Sequence, residues 1–326
     1  MPVINGGDER QIDRAARALA GGDLVALPTE TVYGLGARAD DDAAVARIFR
    51  AKGRPSDHPL IVHVADQKSA LAFAARWPDS AQRLVQAFWP GPVTLIVPRR
   101  TGIAEAAAGG HRTIGLRCPS HPVAHALLVG AAALGVPGVA APSANRFGRV
   151  SPTRAEHVVG EFGPELLVLD GGASALGIES CIVDCTRAVP VLLRPGVLDR
   201  GAIASVLGQR LGDRGDSAPP APGTLDAHYA PLARVRLFSP ADLRNALAGF
   251  NQPKLGVAVY SPTEPPAGVE VDWQPMPTDA GRAAHELFAV LRALDDRGVR
   301  EVWVEQPPDS PQWEGVRDRL RRAAAS

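Results

Sequence analysis

The sequence feature that most constrains the fold is the stretch of residues 24–64, in which two short apolar runs enclose a polar segment. The apolar runs, residues 24–27 and 60–64, are typical of buried strands. Three hydroxyl side chains alternate after the first run: Thr29, Thr31 and Tyr33. On an extended segment such alternating side chains point to the same side. The stretch therefore predicts a polar binding site at the end of a buried strand, where Gly34 and Gly36 would allow close backbone approach to a ligand.

A pair of cationic side chains, Lys52 and Arg54, precedes the second apolar run. Pro55 favours an extended conformation for Arg54. The chain has 35 Lys+Arg, of which only Lys52, Lys68 and Lys254 are lysines. A lysine kept in so arginine-rich a sequence suits a site that needs a compact ammonium, as phosphate sites do. A turn with solvated charges is the alternative for each residue alone, but the whole stretch favours a site for a phosphate and a small polar molecule.

The length and the proline pattern predict two domains. A chain of 326 residues exceeds the usual size of one domain. Residues 217–223 contain two alanines and three prolines in close succession before a glycine, a composition typical of a linker. We therefore expect an N-terminal domain over residues 1–207, a linker over 208–231 and a small C-terminal domain over 232–326.

Charge, apolar runs and cysteines limit the class of protein. The formal net charge is zero, so the sequence has no overall basic signal for nucleic acid, and any RNA contact would be local. We find no signal peptide and no apolar run that could span a membrane. Cys181 and Cys185 would lie roughly 13 Å apart on one strand, too far for a disulfide. With Cys118 they suit a cytoplasmic protein with reduced thiols.

The order of predicted elements indicates an α/β protein. In the N-terminal domain, strands are predicted at residues 24–27, 60–64, 92–97, 113–117, 138–141, 166–170, 181–184 and 191–193. Helices are predicted at 8–20, after the cap at 40–42, and at 66–76, 79–88, 121–131 and 154–159. This irregular order favours a twisted mixed sheet with helices. In the C-terminal domain, strands at 235–238, 255–260 and 299–304 alternate with helices at 241–247, 279–295 and 313–324. Regular alternation predicts a small Rossmann-like three-layer domain with a parallel sheet.

Further candidate site residues lie near predicted strand ends. They are His63, Thr113, Arg117, Ser143, Asn145, Ser151, Ser180 and Arg194. Several have a structural alternative: His63 could be a core histidine, Ser143 and Asn145 could form a turn, and Ser151 could cap the next helix. Arg194 could extend to water instead of contacting a phosphate.

Motif searches exclude several enzyme classes. The sequence contains no P-loop, no G-x-S-x-G and no H-E-x-x-H. Gly34 to Ala39 matches G-x-G-x-x-A, which keeps a dinucleotide-binding turn as a rival interpretation. That rival is weak, because the glycines follow residue 27 by seven positions and the next helix is capped only at residues 40–42.

Four motifs in combination resemble the threonylcarbamoyl-AMP synthase family. They are Pro28–Gly36, the pair Lys52 and Arg54, the run Pro142-Ser143-Ala144-Asn145, and His228-Tyr229-Ala230-Pro231. The resemblance covers nearly the whole chain and is to the long form, which has a YrdC-like catalytic domain followed by a smaller C-terminal domain.

The resemblance implies roles for individual residues. The positions that match its L-threonine site are Thr31, His63, Arg117, Ala141 and Ser180. The positions that match its ATP site are Lys52, Arg54, His58, Thr113, Ser143, Asn145, Ser151, Arg194 and Tyr229. The sequence departs from the family pattern at His58, where asparagine is usual, and at the less basic residues 224–227. Lys52 and Arg54 are the residues we expect to matter most for catalysis.

The activity implied is synthesis of threonylcarbamoyl-AMP and pyrophosphate from L-threonine, bicarbonate or CO₂, and ATP, with Mg²⁺ on the phosphates and no resident structural metal. The product would serve tRNA N6-threonylcarbamoyladenosine formation, with downstream tRNA-modifying proteins, and locally tRNA, as partners. The rival of another class is a non-catalytic RNA-binding ribosome-maturation factor of YrdC-like fold. Carbamoyl transfer from carbamoyl phosphate is disfavoured, because no acylphosphatase or zinc-finger segment accompanies the domain.

The linker carries one further expectation. Residues 225–231 include Leu225, His228 and Tyr229, which are poor choices for a free spacer. We expect this part to fold over the site as a lid, with Tyr229 near the ATP phosphates. The alternative is a plain tether whose Tyr229 packs against the C-terminal domain.

Overall fold

A computed structural model describes residues 3–212, 215, 221–223, 227–250 and 256–325. These residues belong to two compact units. The first contains Met1–Phe147 and Ser151–Thr224, and the second contains Gly148–Val150 and Leu225–Ser326. None of the helices in these ranges is long and apolar enough to cross a membrane.

The first unit is built on ten strands and seven helices within its described residues. The strands are β1 (Val3–Asn5), β2 (Val25–Leu27), β3 (Gly34–Arg38), β4 (Ile61–His63), β5 (Val93–Pro98), β6 (Thr113–Arg117), β7 (Val139–Ala140), β8 (Leu167–Asp170), β9 (Cys181–Asp184) and β10 (Val191–Arg194). The helices are α1 (Glu9–Ala20), α2 (Asp42–Lys52), α3 (Gln67–Leu71), α4 (Asp79–Phe88), α5 (Pro122–Ala133), α6 (Ala155–Phe162) and α7 (Arg200–Leu207).

The ten strands form one mixed sheet with the order β1-β8-β2-β3-β7-β4-β6-β5-β9-β10. Parallel pairs such as β4 with β6 stand beside antiparallel pairs such as β5 with β6. The predicted twisted mixed sheet with helices is confirmed.

The two faces of the central strands differ in what they carry. Val62, Leu95 and Leu116 belong to the large apolar core of this unit. Ile61 and Ile96, their alternating neighbours, belong to a small separate cluster on the other face. Thr113 and Arg117 alternate with Ile114 and Leu116 on β6, and Gly115 between them pairs with Ile61. Their side chains therefore share the face that carries the small cluster.

Residues at both ends of α2 determine where this helix begins and ends, and so where Lys52 lies. The Asp41 side chain accepts hydrogen bonds from the amides of Ala43 and Ala44 at the start of α2. The helix ends at Gly53, whose φ of 65° is left-handed, a conformation that glycine adopts without strain. Lys52 is therefore the last helical residue, and the chain turns sharply after it.

The second unit contains a separate sheet. Its strands are β11 (Arg234–Phe238), β12 (Val257–Ser261), β13 (Asp272–Pro275) and β14 (Glu301–Glu305), and its helices are α8 (Pro240–Ala248), α9 (Ala280–Asp296) and α10 (Glu314–Ala324). The order is β11-β14-β12-β13, and every pair is parallel. Leu243 and Leu247 of α8 pack on one face with Val259 and Trp303. The predicted parallel C-terminal sheet is confirmed.

Several elements differ from the sequence predictions. Strands β1, β3 and β13 and helix α7 were not predicted, and α3 is shorter than the helix predicted over residues 66–76. Strand β3 excludes the rival interpretation of Gly34 to Ala39 as a dinucleotide-binding turn. Gly34 and Gly36 lie inside a strand that pairs antiparallel with β2, so they cannot form a turn between a strand and a helix.

Candidate active site

Two parallel strands bring together residues far apart in the sequence. In the pairing of β4 with β6, His63 lies beside Arg117 and Ile61 beside Gly115. His63 and Arg117 therefore stand at the same carboxyl end of two neighbouring strands. Loops after parallel strands meet at this edge of a sheet, which is a common place for ligands.

Arg117 is held by the polar segment that follows β2. Its Nη1 donates to Thr31 Oγ1 at 2.9 Å, its Nη2 lies 2.7 Å from Glu30 Oε1, and its Nε donates to the Gly91 carbonyl at 3.3 Å. The side chains of Arg117 and Glu30 are only 4% and 8% exposed. A guanidinium fixed at three points and screened from water is well suited to bind a carboxylate.

Glu30 is a site residue that the sequence analysis missed. Burial alone would raise the pKa of Glu30, but the charge and hydrogen bond of Arg117 outweigh it, so the pKa lies below its ordinary value of 4.5. Glu30 is therefore ionised at neutral pH. Its place between Thr29 and Thr31, inside the segment already chosen as a site, was the signal that could have identified it.

The predicted alternation of three hydroxyls is wrong for this segment. Thr29 Oγ1 lies 2.8 Å from Thr31 Oγ1 and donates to the Val32 carbonyl at 2.6 Å, so the chain turns here. Tyr33 instead directs its hydroxyl to the Gly172 carbonyl at 2.7 Å. Only Thr31 of the three contacts Arg117 through its side chain among the described contacts.

His63 is a buried, neutral imidazole. Burial and then the positive charge of Arg117 lower its pKa to about 3. Among the described residues its Nδ1 is buried without a hydrogen-bond partner. A neutral imidazole can donate from one nitrogen and accept at the other, which suits a hydroxyl of a small substrate.

Ser180 was expected at the threonine site and Arg194 at the ATP site, but the two residues are in direct contact. Arg194 Nη2 donates to Ser180 Oγ at 3.2 Å, and Arg194 Nε donates to the Ser180 carbonyl at 3.1 Å. Thr94 Oγ1 lies 2.8 Å from Ser180 Oγ, so Thr94 also belongs to this cluster. Arg194 is buried, and the alternative in which it extends to water is therefore wrong. Its Nη1 donates at 3.0 Å to the carbonyl of Pro222, a linker residue.

Lys52 is not in a polar loop, as the sequence suggested, but is the buried last residue of α2. Its Nζ donates to the Ser143 carbonyl at 2.6 Å and to the Asn145 carbonyl. Burial, and then the charge of Arg54, lower the pKa of Lys52 well below its ordinary value. Lys52 thus connects two of the predicted motifs, the pair Lys52 and Arg54 and the run Pro142–Asn145.

Arg54 lies beside His58 and an aromatic ring. Its Nη2 donates to the Pro59 carbonyl at 3.1 Å, and its guanidinium lies 5.7 Å from the centroid of Phe147. The His58 ring lies 5.6 Å from the same Phe147 ring. Burial, and then the charge of Arg54, lower the pKa of His58, so His58 is neutral at pH 7. A neutral imidazole is an uncharged hydrogen-bonding group that can donate from one nitrogen and accept at the other.

Thr113 lies at one end of strand β6. Thr113 pairs with Pro98 of β5 and begins β6, whereas Arg117 ends it. Thr113 and Arg117 are four residues apart on β6, which is about 13 Å along a strand. Thr113 therefore stands at the opposite end of β6 from the cluster of Arg117 and His63.

The remaining predicted residues are placed as follows. Ser151 Oγ donates to the buried carboxylate of Glu179, next to Ser180, and does not cap the following helix, which has no side-chain cap. Ala141 follows β7, and its amide donates to the Ile61 carbonyl at 2.9 Å. Glu179, like Thr94, was missed by the sequence analysis, because a lone carboxylate in a loop carries no pattern.

Tyr229 packs inside the second unit. Its ring stacks on Phe288 at 5.4 Å, the Arg319 guanidinium lies 5.5 Å from it, and the residue is 1% exposed. Its φ of 63° is left-handed, which is unusual for a residue other than glycine. This packing is the arrangement expected for a tether, whereas the place of Tyr229 at ATP stays a prediction. Leu225, at the start of the expected lid, lies outside the described residues.

Together the fold and these clusters define an α/β protein with an arginine-centred polar cluster at the carboxyl ends of β4 and β6 and a second cluster around Lys52 and Arg54. Comparisons with known proteins agree. A family model described as Telomere recombination, for Sua5, YciO and YrdC proteins, matches residues 17–196, and one described as Threonylcarbamoyl-AMP synthase, C-terminal domain, matches residues 198–325.

Full-length relatives carry the same two parts. The threonylcarbamoyl-AMP synthase of Bacillus subtilis is 37% identical over 97% of this chain and 94% of the relative. That of Pyrococcus abyssi is 38% identical over 97% of this chain and 95% of the relative. A crystal structure of P. abyssi Sua5 complexed with L-threonine superposes with a TM-score of 0.86 at 37% identity, covering 97% of this chain and 95% of the other.

The chain belongs to the threonylcarbamoyl-AMP synthase family. The family prediction made from four motifs is confirmed, as is the prediction that the protein is an enzyme. The non-catalytic RNA-binding alternative is the less well supported of the two.

Proposed function

We propose that the protein forms threonylcarbamoyl-AMP and pyrophosphate from L-threonine, bicarbonate or CO₂, and ATP. The observation that carries this proposal is the arrangement on strands β4 and β6. Arg117 and His63 stand at one end of the face that β4 and β6 share, and Thr113 stands at the other end of β6. Such a face can hold an amino acid and a nucleotide at once.

The pocket around Arg117 would bind threonine. The guanidinium would pair with the substrate carboxylate, while Glu30 and Thr31 hold it in place. Neutral His63 would bind the threonine hydroxyl, with Ser180 beside it. The Ala141 carbonyl would accept a hydrogen bond from the amino group and so orient its lone pair. These roles are supported by the burial and contacts of each side chain.

The other cluster would bind ATP. Lys52, Arg54 and Arg194 supply positive charge for the phosphates, and His58, Thr113, Ser143, Asn145, Ser151 and Tyr229 supply further contacts. Lys52 Nζ is already bonded to the carbonyls of Ser143 and Asn145. In this role the lysine also fixes the loop that would surround the nucleotide. Mg²⁺ would enter on the ATP phosphates as part of that substrate.

The chemistry requires positioning and charge stabilisation rather than a covalent enzyme intermediate. The free amine of threonine forms a carbamate, either by attack on CO₂ with loss of a proton or by attack on bicarbonate with loss of water. A carbamate oxygen then attacks the α-phosphorus in line, and pyrophosphate departs with its bond electrons. The protein would hold the two reacting groups near each other and neutralise the charge that grows on the departing phosphates.

The product is an activated carbonyl, so a second reaction must consume it. We propose that this acceptor is the N6 amine of adenosine beside the tRNA anticodon, reached through downstream tRNA-modifying proteins in the cytoplasm. The lid expected over residues 225–231 would protect the carbamate and the acyl-adenylate from water.

Pyrophosphate release tests the proposal. The full-length protein with Mg²⁺-ATP should release pyrophosphate only when both threonine and bicarbonate are present. A non-catalytic RNA-binding protein would release none under any condition. Release that is unchanged on omitting threonine would point to simple ATP hydrolysis and would contradict the proposed reaction.

A further inference from the structure

A short segment between two predicted ATP-binding residues belongs to the other unit. Gly148–Val150 lies in the sequence between Asn145 and Ser151, yet it is part of the second compact unit. Within that unit the amide of Ala230 donates to the Gly148 carbonyl at 2.8 Å, and Arg149 pairs with Ala230 as a parallel bridge. The segment is thus held by residues that follow the linker.

One carboxylate joins this segment to the chain after the linker. Asp295 accepts hydrogen bonds from the amides of Leu232 at 2.8 Å and Ala233 at 3.1 Å. The other side of the same carboxylate lies 3.4 Å from Arg149 Nη2. Arg292, one helical turn before Asp295 on α9, donates to the Val150 carbonyl.

The position of Asp295 is unfavourable for the helix itself. It lies in the last turn of α9, where the helix dipole disfavours negative charge, and that turn contains no basic residue. Its side chain is only 9% exposed. A buried carboxylate in such a place requires compensation, and the two amides and Arg149 provide it. The Asp295 carboxylate therefore stabilises the contacts with Arg149, Leu232 and Ala233 and does not stabilise helix α9.

We propose that Asp295 is a positioning residue for the ATP site, acting through Arg149 and together with Arg292. By fixing residues 148–150 it restricts the chain that runs from Asn145 to Ser151. Gly148 has a φ of 81°, a conformation that glycine adopts without strain, so these contacts hold the segment at a residue with wide conformational freedom. The link to ATP rests on the proposed function, whereas the restraint on the segment does not.

Matched substitutions separate this role from a general effect on the helix. In Asp295→Asn, one amide oxygen can still accept from Leu232 and Ala233, but the charge that holds Arg149 is lost. Arg149→Gln removes the same contact from the other side. Asp296→Asn is the control, because Asp296 is the exposed neighbour on the same helix end.

The first readout does not depend on activity. Hydrogen exchange of a peptide covering residues 145–151, measured on the full-length protein without substrates, should be faster by about tenfold in Asp295→Asn and Arg149→Gln. It should be unchanged in Asp296→Asn. Unchanged exchange in both test variants would overturn the proposal, and the Arg149→Gln result decides the matter if Asp295→Asn fails to fold.

The second readout compares the KM values for the two substrates. The KM for ATP should rise about tenfold in either single variant, equivalent to about 1.4 kcal/mol, while the KM for threonine stays the same. The double variant should be no worse than the worse single one, because both remove one contact. Equal rises in both KM values would indicate a merely structural effect and overturn the proposal. A wild-type protein that makes no acyl-adenylate would instead refute the proposed function, and the exchange experiment would still judge the restraint.

Discussion

The Glu30–Arg117 pair offers a quantitative test of the threonine pocket. Glu30→Gln keeps the shape of the side chain but removes its charge, leaving the Arg117 guanidinium buried without its counter-ion. The two groups lie 2.7 Å apart, and their side chains are 8% and 4% exposed. Removing one partner of a buried ion pair destabilises a protein by about 3–5 kcal/mol. We expect a loss of this order for the first unit at pH 7.

The same variant should have a defined pH dependence. The pKa of Glu30 is lowered in the folded protein, so its stabilising effect is fully present above the ordinary value of 4.5 and is lost as the pH falls through the folded pKa. The difference in stability between wild type and Glu30→Gln should therefore shrink as the pH falls below about 4.5. The KM for threonine should rise and the KM for ATP should not, because Arg117 would lose its fixed orientation.

Urea unfolding, followed by circular dichroism and by hydrogen exchange of peptides from the first unit, measures the effect. Asp13→Asn is the control, because the Asp13–Arg17 pair is 55% and 68% exposed and exposed pairs contribute less than about 1 kcal/mol. The reasoning is refuted if Glu30→Gln is no less stable than Asp13→Asn at pH 7 and binds threonine normally.

Three further predictions address the rest of the site. The double variant Lys52→Ala, Arg54→Ala should lose more than tenfold in turnover, since each charge-assisted bond contributes about 1.5–3 kcal/mol; normal turnover would show that the phosphate site is elsewhere. Rates of pyrophosphate release should fall in the order threonine, serine, valine, because a methyl pocket discriminates only about 10–200-fold whereas a hydroxyl pocket rejects valine more strongly; valine faster than serine would refute a hydroxyl pocket. Ending the chain after Gly212, which keeps α7 whole, should reduce the amount of acyl-adenylate made per ATP consumed. Tyr229→Ala in the full chain should reproduce part of that loss. If the truncated protein makes acyl-adenylate at the same rate and with the same yield per ATP as the full chain, the linker is only a tether.

The parts of the fold that the sequence predicted are those with a strong local signal. Residues 79–88 and 113–117 were predicted with the bounds that the structure shows, because apolar periodicity decides both. Strand β3 was missed, because Gly34 and Gly36 suggest a turn. A Cβ at Gly36 would lie 2.8 Å from Val139 Cγ1 and 2.9 Å from Leu27 Cδ2, so glycine is needed there for close packing within a sheet. That reason depends partly on Val139, more than a hundred residues away in the sequence, so the local sequence does not show it.

The same limit applies to the site. Arg117 and Thr31 were found because each belongs to a motif, but the contact between them depends on sheet register. Glu30, Thr94 and Glu179 were missed, since each acts through a side chain distant in sequence. Lys52 was wrongly placed in a loop, because α2 continues to the residue before Gly53. Sequence motifs thus indicated candidate site residues, whereas burial and long-range contacts determine how these residues are arranged.

The most direct test of the proposed reaction uses labelled bicarbonate. The full-length protein is incubated with Mg²⁺-ATP, L-threonine and ¹⁴C-bicarbonate, and the products are separated and examined for label on an adenylate. We predict a labelled acyl-adenylate that requires all three substrates and is nearly absent with the Lys52→Ala, Arg54→Ala variant. If wild-type protein consumes ATP under these conditions and no label enters an adenylate, the proposed carbamoylation is wrong.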